Sequence, residues 1–120
     1  MKFIIPFKTP TVNTMYATFR GHRVKSKEAR ELSKEIDLIV KATPYKEISG
    51  ELEVIINIYS NWYNKNKTIK KRDIANLEKF ITDSIFSNLE MDDSQIFKIT
   101  MNKFQSDKEY TEVEINGINS

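Results

Sequence analysis

A chain of 120 residues with a formal net charge of +2, one histidine and no cysteine is long enough for one domain with a core of its own and too short for two. Disulfides, thiolate zinc sites and His-rich metal clusters are excluded, and no apolar run approaches the ~20 residues that span a bilayer. The expectation is a single domain over residues 1–120 in the reducing cytoplasm, with no membrane partner.

Lys2 to Pro6 is a short apolar run closed by proline and predicts a first strand; it is too short for a signal peptide and lacks a small-residue cleavage site. Residues 6–23 hold Pro6, Pro10, Asn13 and Gly21 without a sustained period and predict a long ordered loop. Ser26 is placed as the N-cap of a helix over 27–41, whose Ala29, Leu32, Ile36, Ile39 and Val40 share one face. Thr43-Pro44 stops it, because proline disfavours helical geometry in the residue before it.

Residues 51–59 alternate. Leu52, Val54, Ile56 and Ile58 point one way, and Glu51, Glu53 and Asn57 the other, with Ile55 the apolar exception. Residues 61–71 are polar, basic and Asn-rich, which predicts a loop or a frayed strand end. A second helix starts at Asp73 or Ile74 and reaches Leu89, with Ile74, Leu77, Ile81 and Ile85 as its buried stripe. Met91-Asp92-Asp93-Ser94 reads as a turn. A strand follows over 96–104 with Phe97, Ile99 and Met101 on one face, then a hairpin turn and a last strand over 109–115. The order β-α-β-α-β-β predicts an α+β fold: a mixed four-stranded sheet with two helices on one face.

The charge is unevenly spread. Lys65, Lys67, Lys70, Lys71 and Arg72 fall within eight residues with no acid until Asp73, and residues 8–27 also carry bases without acids. Local positive charge on a near-neutral chain points to a polyanion site. The basic run leads into Asp73-Ile74-Ala75-Asn76-Leu77-Glu78-Lys79, and the acidic turn Asp92-Asp93 follows one helix later. Carboxylates of this kind hold a hard divalent ion, which activates water and stabilises charge on phosphorus, while a lysine neutralises phosphate oxygens. Plainer roles are open for each residue. Asp73 can be an N-cap, Asp92-Asp93 a turn, Lys79 a solvated helix residue and the basic run a solvated loop. Asn13 and Tyr16 can serve turn and packing roles, His22 a surface position, and Trp62 and Tyr63 either base stacking or closure of the core.

Together these residues resemble the RusA-type Holliday-junction resolvases. That family carries a basic stretch, D-x-D-N-L-x-K, a helix, and D-D-x-Q before a strand. Here the first segment is Lys70-Lys71-Arg72-Asp73-Ile74-Ala75-Asn76-Leu77-Glu78-Lys79, and the second is Asp92-Asp93-Ser94-Gln95. Pro6, Pro10, Asn13, Tyr16 and Ser26 follow the family's opening order, so the resemblance covers nearly the whole chain. It implies Asp73 and Asp93 as catalytic acids and metal ligands, with Asp92 beside them, and Lys79 as the catalytic lysine. Asn76 supports the motif, and Lys65, Lys67, Lys70, Lys71, Arg72, Asn13 and Tyr16 contact DNA. It further implies Mg²⁺ or Mn²⁺ as cofactor, a four-way DNA junction rather than a small molecule as substrate, symmetric nicking in recombination and repair, a homodimer, and a bacterial or phage origin. Two-fold symmetry suits a substrate that needs two matched nicks.

One position departs from the pattern: Ala75 stands where the family has a second acid. In an extended D-x-D segment the two acids point to one side and share an ion, whereas alanine offers no ligand. An engineered exchange and a natural variant are both open, as is replacement by Glu78. Three functions follow in order: an endonuclease impaired at its metal, a non-catalytic junction-binding protein, and an interaction domain that touches no nucleic acid. The nuclease reading requires the Asp73 and Asp93 carboxylates to meet over one ion.

Overall fold

In the computed structural model, which describes residues 1–9, 16–19 and 22–118, the chain runs through β1 (Lys2–Ile5), β2 (Tyr16–Phe19), β3 (His22–Lys25), α1 (Lys27–Ala42) and β4 (Leu52–Ser60). It continues through α2 (Ile74–Phe86), a 3-10 turn (Asp93–Gln95), β5 (Ile96–Gln105) and β6 (Tyr110–Gly117). The main sheet has the order β1-β6-β4-β5. β4 and β5 are parallel, with α2 as their crossover, and the other pairs are antiparallel. This is the expected mixed four-stranded sheet with two helices.

Alternation along β4 decides which face is covered. Leu52, Val54, Ile56 and Ile58 are buried and share a core with Phe3 and Ile5 of β1, Val113 and Ile115 of β6, Ala29, Ile36 and Val40 of α1, and Leu77, Phe80, Ile81 and Ile85 of α2. The opposite face stays open. There Lys2 pairs with Glu112 and Lys98 with Glu53, and Tyr59 stacks between Tyr110 and Phe104 at 4.4 and 5.1 Å.

Local signals explain both helix starts. Ser26 adopts extended geometry and its Oγ accepts the Ala29 N–H at 3.2 Å, so one of the helix's unpaired donors is satisfied. Ser26→Ala is expected to cost about 1 kcal/mol of unfolding free energy, read from the urea midpoint. At the other end Thr43 caps α1, its Oγ1–H donating to the Ile39 carbonyl.

Three expectations need correction. The stretch 6–23 is not a single loop, because β2 and β3 pair antiparallel, Tyr16 with Lys25 and Phe19 with His22. Four-residue strands are too short to show a period, although Tyr, Thr, Phe and Val are all strand formers. His22 therefore lies in a strand. α2 ends at Phe86 rather than Leu89, where the Ser87 N–H closes on the Asp83 and Ile85 carbonyls. Ile74 is half-buried, and Phe80 takes the deeper place in the stripe. Phe97, Ile99 and Met101 do share a face, but Phe97 is 68% and Ile99 42% exposed because β5 is an edge strand.

Candidate functional site

The basic run leaves the C-terminal end of β4 and returns to start α2. Its tip is a turn held by Asn64 N–H to the Thr68 carbonyl at 2.8 Å and Lys67 N–H to the Asn64 carbonyl at 2.9 Å. Lys67 takes a positive φ of 68°, an unusual geometry for a residue with a side chain. Tyr63 bridges Ile69, and the Lys70 N–H donates to the Trp62 carbonyl. Lys65, Lys67 and Lys71 are exposed and Lys70 is half-buried. Lys65 and Lys70 line a shallow open depression with Asn61, Tyr63 and Asn64.

Trp62 anchors this loop. The residue is 4% exposed, and its indole N–H donates to the Phe104 carbonyl at 2.9 Å. The Arg72 guanidinium and the Lys103 ammonium lie over the ring at 5.0 and 4.7 Å, positions suited to cation–π attraction. Trp62 thus closes the core, while Tyr63 remains exposed. Arg72 points inward: Nη1 donates to Ser60 Oγ and Nη2 to the Thr9 carbonyl at 2.9 Å. Burial lowers its pKa, with Glu109 opposing. Lys103 Nζ donates to the Arg72 carbonyl at 2.6 Å. Lys103 thereby ties the end of β5 to the start of α2, a contact that needs the sheet register and has no signal in sequence.

Asp73 is the N-cap of α2, its Oδ1 accepting the Ala75 N–H at 2.9 Å. Ala75 is exposed on the first turn and Asn76 half-buried beside it. Ala75, Lys79 and Asp83 follow at spacings of four along one stripe, and Lys79 Nζ meets Asp83 Oδ2 at 3.1 Å. Glu78 accepts the Thr82 hydroxyl at 2.8 Å, which engages one of its two carboxylate oxygens.

Asp92 and Asp93 lie past the other end of α2. Asp92 Oδ1 accepts the Ser94 N–H, and Gln95 Oε1 accepts the Asp92 N–H, forming a reciprocal cap. Gln95 Nε2 donates to the Ile48 and Gly50 carbonyls. The glutamine of the D-D-x-Q motif therefore pins the acidic turn to the approach to β4. Asp93 has its pKa raised, first by its hydrogen bond with Asp92, then by desolvation and by the Asp92 and Asp83 charges. Asp92 is lowered, chiefly by the Ser94 N–H. Asp92→Asn is expected to let Asp93 titrate at lower pH, followed by carboxyl-carbon NMR; an unmoved Asp93 would assign its rise to burial and Asp83.

The structure brings Asp92, Asp93 and Asp83 around one open pocket with Phe86, Ser87 and Met91. It does not bring Asp73 to Asp93. The 13 residues of α2 separate them, which at a helical rise of 1.5 Å per residue is about 20 Å. Asp73 sits near the C-terminal end of β4, whereas the 3-10 turn sits at its start. Among the described residues, no group of three or more His, Cys, Asp or Glu is placed to hold a metal ion. Asp73 and Asp93 of one chain therefore do not hold a single divalent ion between them. Asn13 lies outside the described residues, and only the backbone of Tyr16 is described. Among the described residues, no helix is long and apolar enough to cross a membrane.

No curated protein matches the chain. A family model for Endodeoxyribonuclease RusA matches residues 6–116, a span that includes the basic loop, α2 and the acidic turn. The chain belongs to the RusA endodeoxyribonuclease family.

Proposed function

We propose that this protein is a structure-selective endodeoxyribonuclease that resolves four-way DNA junctions by paired symmetric nicks during recombination and repair. It acts as a homodimer in the cytoplasm of a bacterium or in a phage-infected cell, and depends on Mg²⁺ or Mn²⁺. The family match over residues 6–116 carries this reading. The basic loop supports it, because Lys65, Lys67, Lys70 and Lys71 precede the helix that Asp73 caps.

The side chains divide the work. The exposed lysines neutralise the phosphate backbone without reading sequence. Trp62, Arg72 and Lys103 hold that loop against the sheet. Asp73 and Asp93 are the carboxylates proposed as metal ligands at the reacting phosphodiester, Lys79 neutralises charge on its oxygens, and Asn76 keeps the first turn of α2 in shape. The divalent ion supplies charge stabilisation and an activated water when bound. Ala75 removes one oxygen ligand from the start of α2 and impairs this copy.

The missing acid also favours a second reading, a junction-binding protein without catalysis. Binding alone does not separate the two, but it tests the DNA reading common to both. The chain is expected to prefer a synthetic four-way junction to a linear duplex in a competition gel shift. Equal binding of the two would count against both readings. Lys65→Ala with Lys67→Ala is expected to weaken binding on every sequence alike and to flatten the log K against log salt plot by roughly 2 for two lost phosphate contacts.

A further inference from the structure

The loop between β4 and α2 carries two kinds of surface at once. From Asn61 to Arg72 there is no acid, while Lys65, Lys67, Lys70 and Lys71 supply positive charge. Among these lysines stand two large apolar side chains, Tyr63 at 46% and Ile69 at 68% exposure. They are paired across an antiparallel bridge, and residues directly opposed in this way present their side chains on one face. Alternation sends the neighbouring Trp62 into the core and Tyr63 outward. The hairpin is held by its own polar groups. Thr68 donates its N–H and its hydroxyl to Asn66 Oδ1 and accepts from Asn64 Nδ2. At the base of the hairpin the Trp62 N–H donates to Gln105 Oε1 and Gln105 Nε2 donates to Asn61 Oδ1, both at 2.9 Å.

We propose that the Tyr63–Ile69 pair is a wedge that takes the face of a nucleobase at the branch point of the DNA, and that this contact supplies the preference for branched over linear DNA. The wedge rests on the DNA reading of the chain. The lysines by themselves do not select a junction, because every duplex carries the same phosphates. Base faces differ in this respect. Inside a duplex they are covered by stacking, and a branch point interrupts the stack. An aromatic ring and an inserted apolar side chain each hold a base by its face, so the contact reads the break in the stack rather than the sequence.

The size and surroundings of the pair favour this occupant. Two side chains fall far short of the ~800 Å² per partner that a stable protein interface covers, whereas one tyrosine ring matches one base. Lys65 and Lys70 line one depression with Tyr63, so positive charge lies beside the ring, where the phosphates flanking a bound base would fall. A hairpin fixed by internal hydrogen bonds loses little freedom on binding. Its position also suits the reaction. Ile69 precedes Asp73 by four residues, so the two are separated by no more than about 14 Å of extended chain. That is roughly four steps of ~3.4 Å along a DNA strand, which puts the captured base close to the phosphodiester proposed to be nicked.

Competition gel shifts with a four-way junction, the same junction with unpaired thymines at the branch, and a linear duplex provide the test. Tyr63→Ala with Ile69→Ala is expected to lower affinity for the paired junction about 10-fold more than for the duplex, the effect of losing one base–aromatic stack. The slope of log K against log salt should hold, since no phosphate contact is lost. Tyr63→Phe keeps the ring face and should bind as the parent does. Unpaired thymines should tighten binding by the parent, because such a base is already free of its partner, and should leave the double variant unmoved. The urea midpoint should stay in place, as both positions are exposed; if it falls, Ile69→Thr, which keeps the β-branched shape, takes the place of Ile69→Ala. Equal losses on junction and duplex, no loss on either, a parent indifferent to unpaired thymines, or a changed oligomeric state in place of a DNA effect would overturn the wedge and leave the junction reading standing. A parent chain without preference for the junction would overturn both.

Discussion

Ala75→Asp is expected to turn this protein into an Mg²⁺-dependent nuclease on a synthetic four-way junction, with symmetric nicks at least ~100-fold faster than the parent chain, because losing one electrostatic stabiliser of a charged transition state has effects of that order. Position 75 is exposed on the first turn of α2, two residues beyond the Asp73 cap. A carboxylate there meets no steric obstacle and is favoured by the helix dipole. It would stand beside Asp73, which already accepts the Ala75 N–H. The change should leave stability unaltered or slightly increased. Denaturing gels of labelled junction strands, with Mg²⁺ or Mn²⁺ varied, provide the measurement. No cleavage across that range would favour the junction-binding reading.

Trp62→Ala is expected to lower unfolding free energy by about 3–5 kcal/mol, the range for removing a large aromatic from a core. The side chain is buried, and its indole N–H satisfies the Phe104 carbonyl. Its loss would also strip the ring from beneath Arg72 and Lys103. Such a change takes much of the 5–15 kcal/mol that usually holds a domain of this size together. The urea midpoint should fall with little change in slope. Trp62→Phe keeps most of the packing and loses mainly the hydrogen bond, so its cost should be near 1 kcal/mol. If both variants bind junctions like the parent while folded, the anchoring role assigned to Trp62 is wrong.

Elements that depend on neighbours in sequence were legible from residues alone. The Ser26 cap and the apolar face through Ala29, Ile36 and Val40 define α1, and the strict alternation from Leu52 to Ile58 defines β4, because each signal is local. The hairpin of β2 and β3 was not legible, since four residues carry too little periodicity to stand out beside Pro6, Pro10 and Gly21. The inward turn of Arg72 was hidden for a different reason. It depends on Trp62, Ser60 and Thr9 meeting in space, and a basic run looks the same whether its last member faces solvent or the core.

The expectation that Asp73 and Asp93 meet illustrates the limit most clearly. Their motif spacing marked both as one constellation, yet the helix between them has a fixed rise that carries them apart. Only sheet order reveals that β5 is an edge, and only the Lys103 contact reveals which end of β5 lies beside Asp73. A motif can therefore name the members of a site without saying whether one chain or two must supply them.

Subunit mixing in the Ala75→Asp background tests most directly whether Asp73 and Asp93 of the proposed homodimer act from different chains. Chains carrying Asp73→Asn and chains carrying Asp93→Asn are expected to be inactive alone. After exchange, half of the dimers combine one of each and hold one intact site of two, so nicking should return to about a quarter of the parent value in a two-fold assembly. An active parent, with mixed dimers formed but no nicking by them, would mean that both acids act from the same chain and would contradict the account.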